Sequence, residues 1–80
     1  MSESRRLSLD QVAPGARVVV RALDAGREVN GRMMQLGLVV GAEAEVLQSQ
    51  AGGPMLIRAR RTLLAVGREE ARKILVEISP

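Results

Sequence analysis

Ala42-Glu43-Ala44-Glu45-Val46-Leu47-Gln48-Ser49-Gln50-Ala51-Gly52-Gly53-Pro54-Met55-Leu56-Ile57-Arg58-Ala59-Arg60 decides the fold. Ala44 and Val46 alternate with Glu43 and Glu45, and Met55, Ile57 and Ala59 alternate with Arg58 and Arg60. Period-two patterning of this kind marks strands with one buried and one solvated face. Gln50-Ala51-Gly52-Gly53 between them is a turn signal, so the two segments form a hairpin. Pro54 can open the returning strand without losing an internal ladder bond.

On the N-terminal side, Ala16 to Leu23 reads as a strand, with Val18 and Val20 inward between Arg17 and Arg21. Asp24-Ala25-Gly26 breaks it. Arg27 to Leu36 has Val29, Met33 and Leu36 at spacings of four and three, the stripe of a helix facing a core. Gly37 stands where a helix ends in the left-handed conformation. Gly31 inside the helix costs about 1 kcal/mol relative to Ala, a cost that close packing would justify. Upstream, Leu7 to Val12 reads as a helical turn or an extended lead-in, and Ala13-Pro14-Gly15 as a tight turn.

On the C-terminal side, Thr62 to Val66 is a short strand and Gly67 to Lys73 a turn or two of helix. Its acids come early and its bases late, as the helix dipole favours. Ile74 to Ile78 is a final strand. The expected fold is therefore mainly β, a small barrel of about five strands with one or two short helices. Closure into a barrel removes the bare strand edges such apolar segments would otherwise present. We read residues 1–80 as one domain, with residues 1–6 a flexible N-terminus.

Composition narrows the function. The chain holds no Cys, no His and no aromatic residue, while 46% of its residues are hydrophobic. That is enough for an aliphatic core and too much for a disordered tail. Disulfides and the usual zinc ligands are excluded, as is nucleophilic catalysis by a Cys or by a His-activated Ser. Gly52-Gly53-Pro54 lacks the Lys and the following helix of a phosphate loop. No catalytic, cofactor or metal-binding residues are expected. No apolar segment is long enough to cross a bilayer, and the N-terminus has no signal-peptide pattern, which implies a cytoplasmic protein without direct membrane insertion.

The net charge of +3 raises nucleic acid as a partner. The excess is spread evenly, six basic and four acidic groups in residues 1–40 against six and five in residues 41–80. No base-stacking aromatics accompany it. No nucleic-acid partner is expected, although a small nucleic-acid-binding barrel stays the rival class. What remains is protein binding, with weak self-association allowed. Met34 falls off the helix's apolar stripe, and an exposed Met suits an adaptable contact. Leu38, Val39 and Val40 in the loop after the helix join it as candidates. Arg17, Arg21, Arg58 and Arg60 form a basic docking face if their two strands are neighbours.

The order of motifs supports a resemblance. Leu9-x-x-Val12-x-x-Gly15 leads into a Val-rich strand, followed by Arg32-Met33-x-x-Leu36-Gly37-Leu38-x-x-Gly41. Gly53-Pro54, Leu64-Ala65-Val66 and Glu69-Glu70-Ala71-x-x-Ile74-x-Val76 come after it. From Leu7 to Ile78 the chain resembles the FeoA family of small ferrous iron transport proteins. Similar domains occur at the C-terminus of DtxR-type iron-dependent repressors. The chain departs from the family pattern at Arg61, where Gly is frequent, at Gly67, where a basic residue is common, and at Gly53, where Asp often stands. The resemblance implies an SH3-like barrel that binds the cytosolic part of the FeoB permease and modulates its assembly or activity. A metal-linked regulatory SH3-like module is the further alternative it raises. Iron binding by the chain itself would have to rest on carboxylates, of which Glu43 and Glu45 share a strand face; pairing with Arg across the sheet is the competing reading.

Overall fold

The computed structural model describes residues 6–79. Six antiparallel strands form one sheet in the order β1-β6-β2-β3-β4-β5. They are β1 (Arg6–Ser8), β2 (Arg17–Leu23), β3 (Glu43–Ser49), β4 (Met55–Ala59), β5 (Thr62–Val66) and β6 (Ile74–Ile78). Helix α1 spans Arg27–Gln35 and α2 spans Arg68–Ala71. The sixth strand, β1, comes from the N-terminal lead-in, which is extended over Arg6–Ser8 and then a 3₁₀ turn over Leu9–Gln11. Leu7 pairs with Val76 and Arg6 with Glu77, so Arg6 belongs to the sheet and not to a flexible N-terminus. The rest of that expected N-terminus lies outside the described residues.

The alternation read from sequence sets the core. Val18 and Val20 of β2, Ala44 and Val46 of β3, and Met55, Ile57 and Ala59 of β4 are all buried. Leu64 and Val66, Ile74 and Val76, and Leu9 and Val12 complete an aliphatic interior. At about 1.5–3 kcal/mol per buried large aliphatic side chain, burial on this scale stabilises a domain with no disulfide or aromatic residue. Two register shifts curve the sheet, between Val20 and Ala22 against β6 and between Val46 and Gln48 against β4. An extra residue at such points bends and twists its strand, which lets a short sheet wrap around its own core.

Helix α1 covers one opening of this core with Met33, while Val29 packs at its margin. Its end departs from the apolar stripe expected of it. Leu36 is the C-cap and 39% exposed, because the helix terminates one residue earlier, at Gln35. Gly37 takes φ 99°, its N–H donates to the Met34 carbonyl, and the Leu38 N–H donates to the Met33 carbonyl. That pair of reversed bonds is the Schellman ending, which brings the residue after the glycine back against the last turn. Leu38 is accordingly in the core at 1% exposure, beside Met33. Gly31 has open space where a Cβ would sit, so close packing does not account for it.

Candidate functional site

Two surface features stand out, and they adjoin. The first is apolar. Met34 (54% exposed), Leu36 and Val40 (60% exposed) crowd the C-terminal end of α1 and the loop after it, with Val39 half-buried. The loop is held in place: Gly41 N–H donates to the Val20 carbonyl at 2.7 Å and Ala42 N–H to the Val39 carbonyl at 2.9 Å. Apolar side chains presented on an anchored backbone lose little freedom when a partner covers them. Leu38, expected at this surface, is not part of it; the Schellman ending turns it inward.

The second feature is an open groove of about 410 Å³ whose polar lining is Arg17, Glu43, Glu45, Arg58 and Arg60. Strand order explains its composition. The arginine-bearing strands β2 and β4 are not neighbours, since β3 runs between them. Glu45 is therefore the cross-strand partner of both Arg17 and Arg58, and its carboxylate lies 3.7 Å from Arg58 Nη1. The expected uniform basic face is in fact a weave of three arginines and two glutamates. Arg60 follows β4 in the turn, at φ 59°, and its stem passes 3.9 Å from where a Cβ on Gly37 would be. That proximity sets the groove beside the apolar end of α1.

Arg21 is not in this set. It is the bulged residue between Val20 and Ala22, and the bulge re-aims its side chain toward β6. There Arg21 Nε donates to Glu77 Oε1 at 2.6 Å, while Arg6 Nε donates to Glu77 Oε2 at 3.4 Å. Glu77 is the buried charged residue of the sheet.

A second anchoring residue escaped the sequence reading. Arg68, the first residue of α2, donates to the Asp10 carbonyl at 3.2 Å, to Ser49 Oγ at 3.3 Å and to the Gln50 carbonyl. One guanidinium thus ties the 3₁₀ turn, the end of β3 and the hairpin to α2.

The carboxylates give little purchase for a metal ion. Glu45 faces Arg58, Glu77 faces Arg21 and Arg6, and Asp10 and Glu69 both approach Arg72, at 3.9 and 3.7 Å. Among the described residues, no three His, Cys, Asp or Glu side chains converge as a metal site would require. No helix among them is long and apolar enough to cross a membrane.

Comparison with known proteins places this arrangement. The chain is 35% identical over 63 residues to a Methanocaldococcus jannaschii protein provisionally named Fe(2+) transport protein A, covering 79% of this chain and 76% of that one. It superimposes on the FeoA protein of Chlorobium tepidum with a TM-score of 0.87 at 35% identity, covering 92% of this chain and 71% of that one. Two structures of lower identity share the fold. Stenotrophomonas maltophilia FeoA, described as a procaryotic SH3 domain protein, matches with a TM-score of 0.74 at 22% identity over 94% of this chain and 89% of that one. A manganese-dependent transcriptional repressor matches with a TM-score of 0.85 at 16% identity over 99% of this chain and 45% of that one. The mainly β sheet is thus an SH3-like fold, shared with repressors of the DtxR type. The FeoA domain model matches residues 7–78, and the chain belongs to the FeoA domain family.

Proposed function

We propose that the chain is a non-enzymatic accessory of ferrous iron transport, acting as one FeoA-like unit in the cytoplasm. It docks on the cytosolic part of a FeoB-type permease and modulates that partner's assembly or activity. Family membership and the names of its relatives support the transport role. The observation that carries the docking reading is the apolar end of α1, where Met34, Leu36 and Val40 are exposed next to the arginine-lined groove. An apolar centre flanked by charges is the usual anatomy of a protein-binding patch. Val39, Arg17, Arg58 and Arg60 form its margin. Arg21, committed to Glu77, serves the sheet instead.

The glutamates argue for a protein partner over nucleic acid. A phosphate backbone laid along Arg17, Arg58 and Arg60 would meet Glu43 and Glu45 between them, whereas a protein surface can present charges of both signs in register. Modulation then follows from unequal affinity for the partner's conformational states. The test is calorimetric titration of the chain into the permease's purified cytosolic domain. Binding is expected, and Met34→Asp and Val40→Asp should each weaken it about tenfold or more while leaving the melting temperature within a few degrees. Binding unaffected by both substitutions would remove the apolar patch from the site. Salt-sensitive binding to DNA or RNA, with no binding to the permease domain, would overturn the reading.

A further inference from the structure

We propose that β5 is a self-association edge, at which two copies of the chain pair antiparallel about a two-fold axis through Leu64. β5 and β1 are the two ends of the strand order. β1 is three residues long and carries Arg6, both common ways of blunting an edge. β5 has neither protection. Thr62-Leu63-Leu64-Ala65-Val66 contains no charge, no Pro and no bulge, and its register with β4 is unbroken. Leu63 is 58% exposed and Ala65 is exposed beside it on the outer face.

The hydrogen-bonding state of each β5 residue follows from the register. Val46 N–H donates to the Ala16 carbonyl and the Val46 carbonyl accepts from Gly15 N–H, so Val46, and by alternation the even-numbered residues of β3 before its bulge, face β2. Alternation then turns Glu45 toward Arg58 of β4, and directs Ile57 and Ala59 of β4 toward Leu64 and Thr62 of β5. The N–H and C=O groups of Leu63 and Ala65 are left pointing away from the sheet.

A second copy fits this edge by charge. One end of β5 is the Arg60-Arg61 turn, and the other is α2, where Glu69 and Glu70 stand between Arg68 and Arg72 and Glu69 pairs with Arg72. Parallel addition would set the two Arg60-Arg61 turns together, whereas antiparallel pairing separates them and brings each toward the mixed-charge turn that holds Glu69 and Glu70. Centred on Leu64, that pairing sets Leu63 opposite Ala65 of the second copy, with both outward-pointing residues donating and accepting. It also extends the apolar row of half-buried Leu56 and exposed Ala65 onto the second copy.

The experiment is sedimentation equilibrium of the full chain from micromolar to millimolar concentration, paired with amide exchange read residue by residue. A monomer–dimer equilibrium is expected, with Leu63 and Ala65 amides gaining protection as concentration rises while Thr62, Leu64 and Val66 stay protected throughout. Leu63→Lys should raise the dissociation constant about tenfold or more. Ala65→Pro, which removes an N–H that β4 does not use, should do the same, and the unchanged fold of Leu63→Lys guards against a folding defect in the proline variant. Arg61→Glu should weaken the dimer, and adding Glu69→Arg should recover it. A chain that stays monomeric throughout, or a dimer in which Leu63 and Ala65 exchange at concentration-independent rates, would overturn the proposal. So would protection of those amides that appears only on adding the permease domain.

Discussion

Arg21 Nε donates to Glu77 Oε1 at 2.6 Å, linking the bulge of β2 to a buried carboxylate on β6. Arg6 approaches the other oxygen from β1 at 3.4 Å, but its side chain is 62% exposed against 40% for Arg21. The shorter, drier contact should dominate, since solvent screens the exposed pair. In double-mutant cycles with Glu77→Gln, we expect a coupling of about 1 kcal/mol for Arg21→Met and a few tenths for Arg6→Met. Equal couplings in urea denaturation would show that proximity and burial do not rank these two pairs.

Gly31 lies inside α1 with no heavy atom outside the helix backbone near the place of a Cβ. Ala at this position should therefore recover helix propensity with no clash, raising stability by about 0.5–1 kcal/mol in the urea midpoint. Gly31→Ala also tests the docking reading from an unexpected side. If it stabilises the chain yet abolishes permease binding, the partner approaches the helix backbone closely at Gly31.

Much of the fold was legible because period-two alternation is enforced by burial. Each inward residue read on β2, β3 and β4 is buried, from Val18 to Ala59. The candidate surface was less legible, for two physical reasons. Whether Arg17 and Arg58 are adjacent depends on strand order, which alternation does not contain; β3 inserts Glu45 between them. The long-range bonds of Arg68, to residues 58, 19 and 18 positions away, likewise leave no local pattern. Leu38 differs, because the signal for it was present. Gly37 read as a helix-ending glycine already implies that the residue after it packs back on the helix.

Arg60 is the one non-glycine described residue at positive φ, in the two-residue turn between Ala59 and Thr62. Two-residue hairpin turns favour glycine where φ is positive. A side chain there costs about 1–2 kcal/mol, while Gly loses about 0.5–1 kcal/mol of extra chain entropy. Arg60→Gly should thus stabilise the hairpin by about 0.5 kcal/mol. Because Arg60 also lines the groove, the same variant should bind the permease domain more weakly. Stability and affinity moving in opposite directions would mark Arg60 as a residue kept for its surface role.

Arg68→Lys keeps the charge but loses the planar fork that reaches Asp10, Ser49 and Gln50 together. We expect a loss of about 1–2 kcal/mol, with amide exchange accelerated first at the β3–β4 hairpin and the 3₁₀ turn. Uniform acceleration across the sheet would instead mean that these elements do not open separately.

Leu38 and Val40 sit two residues apart and should fail in different ways. Leu38 fills the core under α1, so Leu38→Ala should cost about 2–5 kcal/mol through lost burial and a residual cavity. Its binding to the permease domain, measured well below the melting temperature, should fall no more than the folded fraction does. Val40 is exposed on the same loop, and its replacement by Asp exposes no new apolar surface, so stability should shift by no more than about 0.5 kcal/mol. The cost of Val40→Asp should appear in affinity alone, through a carboxylate desolvated without a partner. If Leu38→Ala lost affinity beyond its unfolding, or Val40→Asp lost stability instead of affinity, the division between core and docking surface drawn at Gly37 would be wrong. That division is set by two backbone hydrogen bonds, from Gly37 to Met34 and from Leu38 to Met33. Gly37→Val, which cannot hold φ 99° without strain, should therefore damage both properties at once.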